Sequence, residues 1–303
     1  MCCLKKTRHC TLNESMKELI INADDFGLST GANRAIIKGW QKGALTSASL
    51  MVGGSAFEEA VSLARENPAL QVGLHLTLVQ GRAVHQQDGF PSLVDKQGNF
   101  ANDPVYAGMR YFFVKSLRKD LHREIEAQIG KFKETGLSLS HIDGHLNIHM
   151  HPTVFDILLE LMPRYGINSF RLSHERLGVD LALAPRRRLG KMVDAFIFSR
   201  LVARCRPQLD RRGIDYTIEV KGLLNSGQMT EEYLLKALEI LQEGLTEIYL
   251  HPGYPDDELS RWMPDYHHGE ELEALTSPRV QQKIAQLGIK LRNYRGEEKR
   301  MPC

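Results

Sequence analysis

The feature that most constrains this chain is an early alternation of apolar runs and amphipathic stretches, which already reads β-α-β-α-β by Thr77. Leu19-Ile20-Ile21 begins the first strand. Ser29 to Lys42 then sets Ala32, Ala35, Ile36 and Trp40 at helical spacing, with Ser29 as N-cap. Leu45 to Val52 reads as a second strand, Ala56 to Arg65 as a helix and Gln71 to Thr77 as a third strand. Strands joined through helices favour a parallel sheet with the helices packed outside it. In such sheets the chemistry gathers at the strands' C-terminal ends.

The alternation continues. Residues 80 to 110 are rich in Gly, Pro, Asp, Asn and Gln and predict a long excursion, a binding loop or lid. Leu117 to Thr135 predicts a helix, Leu137 to Asp143 a strand, and Pro152 to Tyr165 a helix opened by proline. Ser169 to Leu172, Ile214 to Val220 and Glu247 to His251 predict further strands, with helices at Leu189 to Arg204 and, capped by Thr230, at Thr230 to Gln242. About seven strands approach the size of a (β/α) barrel, expected here as one domain over 16–303. Residues 1–15 are polar and basic without the apolar core of a secretory signal. They are expected to form a disordered extension, with Met16 as the natural start.

Composition excludes several function classes. A formal charge of +2 and no zinc-finger spacing or basic aromatic repeat argue against nucleic acid. Cys2, Cys3, Cys10, Cys205 and Cys303 include no CxxC pair, so neither a disulfide framework nor a thiolate zinc site is indicated. A reducing, cytoplasmic location fits, and no transmembrane span is evident. HExxH, GxSxG and Walker-type loops are absent.

Chemistry concentrates at four predicted strand ends. Asn22-Ala23-Asp24-Asp25-Phe26-Gly27 places two adjacent carboxylates where the first strand stops. Neighbouring strand residues point to opposite faces, so the two acids can divide labour only if the backbone turns, which Gly27 permits. A solvated turn or helix cap is the bland alternative. Four of the twelve histidines fall in His141-Ile142-Asp143-Gly144-His145-Leu146-Asn147-Ile148-His149-Met150-His151. Imidazole and carboxylate suit a divalent metal, with about three protein ligands and one open position for catalysis. His141 also reads as a hydrogen-bonded strand residue and His151 as a helix cap, whereas His145 favours the ligand reading. His75, in Val72-Gly73-Leu74-His75-Leu76-Thr77, and His251, before Pro252-Gly253, complete the set.

These motifs, in this order from about Leu19 to Tyr294, resemble the YdjC-like carbohydrate deacetylases, the ChbG/HpnK family. The stretches Leu78 to Val84, Pro91 to Asp95 and Ala107 to Phe113 look most like its hopanoid-biosynthesis branch, HpnK. The resemblance implies a distorted (β/α) barrel like that of polysaccharide deacetylases and one divalent metal ion, Mg²⁺ or Zn²⁺. Carried over by motif, Asp25, His75 and His145 are the metal ligands, Asp24 the general base and His251 the general acid. His149 matches a substrate-binding or supporting position, and Arg171 orients Asp24. The activity implied is removal of the acetyl group from an N-acetylglucosamine moiety, with an N-acetylglucosaminyl hopanoid as substrate and a homo-oligomer allowed. Alternatives are a chitooligosaccharide substrate, a metal-dependent sugar isomerase or phosphoester hydrolase, and a non-catalytic binding protein.

Arg186-Arg187-Arg188-Leu189-Gly190-Lys191, followed by Met192, Val193, Phe196, Ile197, Leu201 and Val202, makes a basic amphipathic stretch. The ordinary expectation is an outer helix with its apolar side packed inward. The alternative is peripheral contact with an anionic membrane.

Overall fold

In the computed structural model, residues 16–84 and 92–299 are described. The expected extension 1–15, Pro91, and Cys2, Cys3, Cys10 and Cys303 lie outside the described residues. Seven parallel strands form one sheet: β1 (Lys17–Phe26), β2 (Ser47–Leu50), β3 (Gln71–Leu76), β4 (Leu139–Gly144), β5 (Glu219–Lys221), β6 (Gly244–Leu250) and β7 (Lys290–Leu291). Their order is β4-β3-β2-β1-β6-β5, with β7 paired to the start of β1. The sheet is curled into a half-barrel with helices around it. Between its two ends runs the Ser169–Leu172 segment, which touches β4 and the Asp215 stretch through single bridges, Ile142 with Phe170 and Ser169 with Asp215. The expected strand at 169–172 is therefore only a pair of bridges, but it carries Arg171 to the middle of the open side.

The helices are α1 (Thr30–Lys42), α2 (Phe57–Glu66), α3 (Pro104–Phe113), α4 (Leu117–Glu134), α5 (Pro152–Tyr165), α6 (Leu177–Leu183), α7 (Arg188–Arg212), α8 (Glu231–Glu239), α9 (Asp257–Trp262), α10 (His268–Thr276) and α11 (Pro278–Gln286). Ser29 and Thr230 cap α1 and α8 through their side chains, as the sequence suggests. Leu19, Ile21, Ala23, Ile36, Leu50, Leu74 and Ile248 belong to one continuous buried core. The strands are largely buried on both faces, but helices cover one side, whereas the interior side carries polar and charged groups such as Asn22, Ser49, His75, Asp143 and Glu247.

Two expectations are corrected. The excursion from 80 to 110 is not structureless to its end: Asp103 caps α3, accepting from Val105 and Tyr106, and Pro104 occupies its first turn. The first half of α7 does not pack its apolar side inward. Leu189, Met192, Val193, Phe196 and Ile197 are exposed, and only from Val202 onward does the helix bury a regular face.

Candidate active site

Asp24 and Asp25 share a site because the strand breaks its own alternation. The register between β1 and β2 shifts between Ala23 and Phe26, Asp25 takes a left-handed φ of 64° and Gly27 a φ of 90°. The sequence points to the turn at Gly27; the structure begins it at Asp25, which as aspartate tolerates that conformation. A side chain on Gly27 would also meet Met51 O at 3.0 Å.

Asp25, His75 and His145 offer donor atoms that all lie within 4.8 Å of one another, every one buried. His145 Nδ1 lies 3.0 Å and His75 Nε2 3.3 Å from the same oxygen, Asp25 Oδ1. Asp25 Oδ2, His75 Nε2 and His145 Nε2 have no hydrogen-bond partner. An unpartnered buried ligand atom on each of the three residues of this group fits a cation, because each would otherwise bear an uncompensated desolvation cost. Behind His75, Nδ1 donates to Asp143 Oδ1 at 2.8 Å, which turns the Nε2 lone pair toward Asp25. A second grouping, Asp24 with His75 and Asp143, is also close together. It suits a cation less well, since both carboxylates already serve Arg171.

Charge in this pocket is strongly coupled. At Asp25 burial favours the neutral acid, but His145 and His75 outweigh it and hold the carboxyl well below the ordinary range. Burial likewise opposes protonation of His75, yet Asp143 and Asp24 beside it push it up to about 10. A metal ion would replace that proton as the countercharge.

Arg171 is the hub of the adjoining network. Its Nη1 and Nη2 donate to Asp24 Oδ2 and Oδ1, both at 2.7 Å, Nη2 also lies 2.8 Å from Asp143 Oδ2, and Nε donates to Glu247 Oε1 at 2.8 Å. The guanidinium also lies over the Tyr249 ring at 4.5 Å. Asn22 Nδ2 adds a hydrogen bond to Asp24 Oδ1 at 2.8 Å. Asp24 is thereby fixed beside His251, whose Nε2 stands 4.0 Å from Asp24 Oδ2. Burial pushes His251 down to about 4, against the pull of Asp25 and Asp24, so the imidazole at rest is neutral near pH 7. Glu271 Oε2 accepts from the His251 backbone N–H and lies 3.8 Å from His251 Nδ1.

The remaining histidines have other surroundings. His149 is not in either donor grouping; its Nε2 donates to Arg171 O at 2.8 Å and so holds the hub's backbone. His141 is a buried strand residue bonded to Ser49 and Ser140 and stacked on Tyr294. His151 precedes α5 without capping it through its side chain, and its Nε2 donates to Gly108 O. Sequence reasoning assigned no role to Asp143, Glu247 or Glu271. Glu247 did leave a signal, an acid inside the apolar run of β6; Glu271, on α10, left none.

A profile of the family described as YdjC-like protein matches residues 18–286. A carbohydrate deacetylase of Geobacillus stearothermophilus is 32% identical over 279 residues, covering 91% of this chain and 96% of that protein. A carbohydrate deacetylase of Brevibacillus brevis is 41% identical over 150 residues, 50% of this chain and 57% of the relative. Among solved structures, a protein of Enterococcus faecalis provisionally assigned to cellobiose-phosphate cleavage superposes with a TM-score of 0.72 at 27% identity, covering 93% of this chain and 98% of that one.

Proposed function

Because this chain belongs to the YdjC-like protein family, we propose that it is a metal-dependent carbohydrate deacetylase that hydrolyses the acetamide of an N-acetylated amino sugar. The observation that carries the reading is the buried Asp25-His75-His145 donor set standing beside Asp24 and His251. Asp25, His75 and His145 would hold the ion, zinc or magnesium, with Asp143 orienting His75. When bound, the ion would supply polarisation of the amide carbonyl and acidification of water, the activation that a poor electrophile such as an acetamide needs.

The chain's own residues manage the protons. Arg171 occupies one acceptor direction on each oxygen of Asp24, which leaves Oδ2 free to accept a proton from the attacking water on the His251 side. His251 is neutral at rest, so the proton it delivers arrives within the cycle: Asp24 Oδ2, 4.0 Å from Nε2, passes it on through one bridging water, and Nε2 gives it to the departing sugar nitrogen. Water's second hydrogen stays on the new carboxyl group until that acid ionises, and the amine takes it up in solution, so the products are acetate and the ammonium form of the amino sugar. His149 acts through Arg171, as a positioning residue.

For the sugar's aglycone we favour the hopanoid-linked N-acetylglucosamine of the HpnK branch, supported by the exposed apolar side chains of α3 and α7. A chitooligosaccharide is the second reading, favoured by a cavity of about 1070 Å³ that reaches Tyr266, whose ring is 4.9 Å from that of His251. Acetate release from N-acetylglucosaminyl bacteriohopanetetrol and from diacetylchitobiose, by wild type and Asp24→Asn, tests both. Asp24→Asn should bind metal normally and lose about 10²- to 10⁴-fold in rate. Release from neither substrate would sink the deacetylase reading; a mutant within tenfold of wild type would remove Asp24 as base.

A further inference from the structure

We propose that the face formed by α3 and the first half of α7 docks on an anionic lipid bilayer and holds the mouth of the site at the membrane surface. Leu189, Met192, Val193, Phe196 and Ile197 recur at i, i+3, i+4, i+7 and i+8, a single stripe along α7. In an ordinary outer helix this stripe would be buried; here Leu189 is 79% and Phe196 68% exposed. α3 repeats the arrangement with Val105, Tyr106, Met109, Phe112 and Phe113, of which Val105 is 71% and Phe113 66% exposed. Soluble proteins seldom present so many large apolar side chains on two helices, both packed around the His145–Met150 turn and the start of α5, without something to cover them.

Both helices flank the loop that contributes His145. His151 donates to Gly108 O in α3 and meets the rings of Tyr111 and Phe112 edge-on, while α7 packs on the His145–Met150 turn. The cavity described above is lined by Arg186 and Arg187, just before α7, and by Tyr266, whose ring centre lies 4.9 Å from that of His251.

Charge selects the occupant. Arg186, Arg188 and Arg200 are exposed and have no ion pair among the described residues. Arg186 to Arg188 also crowd the N-terminal end of α7, where the helix dipole disfavours cations. An anionic surface relieves both. A second copy of the chain meeting this face across a two-fold axis would set arginines against arginines, which costs affinity. Among the described residues no helix is long and apolar enough to cross a membrane, and the contact proposed is interfacial, with the apolar stripes in the headgroup layer.

The test is flotation of the full chain with phosphatidylglycerol and phosphatidylcholine vesicles, which needs no turnover and so stands or falls separately from the deacetylase reading. Wild type should float with the anionic vesicles, less at high salt, and poorly with the neutral ones. Phe113→Ser with Phe196→Ser should weaken partitioning at least about tenfold, and Arg188→Gln with Arg200→Gln about fivefold per arginine. Unchanged far-ultraviolet circular dichroism and an unchanged melting temperature show that these variants fold. Absence of binding to anionic vesicles, equal binding by the variants, or a solution dimer that Phe196→Ser dissociates would each overturn the proposal.

Discussion

Replacing Arg171 with methionine removes the one cation shared by Asp24, Asp143 and Glu247 while keeping much of the side chain's length. All four residues are at most 3% exposed, so water cannot replace the guanidinium. Breaking a buried ion pair by removing one partner costs about 3–5 kcal/mol. Three stranded carboxylates do not triple that figure, because each retains a donor: Asn22 for Asp24, Ser49 and His75 for Asp143, and Tyr294 for Glu247. The expected loss is about 3–5 kcal/mol, a large part of a typical folding free energy, or roughly 2 °C of melting temperature per kcal/mol for a chain this size. The pH dependence gives the sharper check. In wild type, burial opposes ionisation of Asp143, but Arg171 and His75 hold its pKa well below the ordinary range. Its contribution is therefore present above the unfolded pKa and lost only as pH falls through the lower folded one. Without Arg171, burial raises the folded pKa of Asp143 above the unfolded value and lifts further that of Glu247, which burial already holds up. The resulting penalty is absent below the unfolded pKa and grows as pH rises toward the folded one. Urea unfolding of the metal-free proteins should thus show a gap that narrows from about pH 7.5 to about pH 5. A gap under about 1 kcal/mol, or one indifferent to pH, would refute the view of Arg171 as an electrostatic hub.

Other outcomes follow from the same geometry. His145→Ala and Asp25→Ala should each abolish tight metal binding in calorimetric titration, and near-wild-type affinity in either would discard the donor set. Because His75 is held up to about 10, metal binding near neutral pH should release about one proton, with affinity rising about tenfold per pH unit up to that value. Titrations in buffers of different ionisation enthalpy measure this directly. Asp143→Asn should weaken metal affinity about 10- to 100-fold by loosening His75; unchanged affinity would mean His75 does not depend on that contact. Gly73→Ala would place a methyl 2.4–2.6 Å from the His141 ring and should cost about 1–3 kcal/mol in urea unfolding, whereas a neutral variant would show that the ring moves aside freely.

Local physics made β1 to β4, β6 and the helices α1, α2, α4, α5, α7 and α8 legible in the sequence, whereas β7, α3, α6 and α9 to α11 were not read and the strand expected at Ile214–Val220 lies at Glu219–Lys221. Period and capping mark α1, α5 and α8 nearly to the residue, since Ser29, Pro152 and Thr230 act on the turns they begin. Strand ends with Asp or His announced where chemistry would gather, because a parallel sheet brings the C-terminal ends of its strands to one rim. What the sequence could not supply was anything set by contact between distant segments. The 169–172 stretch reads as a strand, yet bridges on both sides, rather than a ladder, aim Arg171 at Asp24, Asp143 and Glu247. Glu271 reaches His251 only because α10 packs between α1 and α8, next to the end of β6 in space but twenty residues on in sequence. The direction faced by the apolar stripe of α7 was also undecided, since amphipathic spacing states that a face exists, and only the position of neighbouring elements determines whether it meets the core or the solvent.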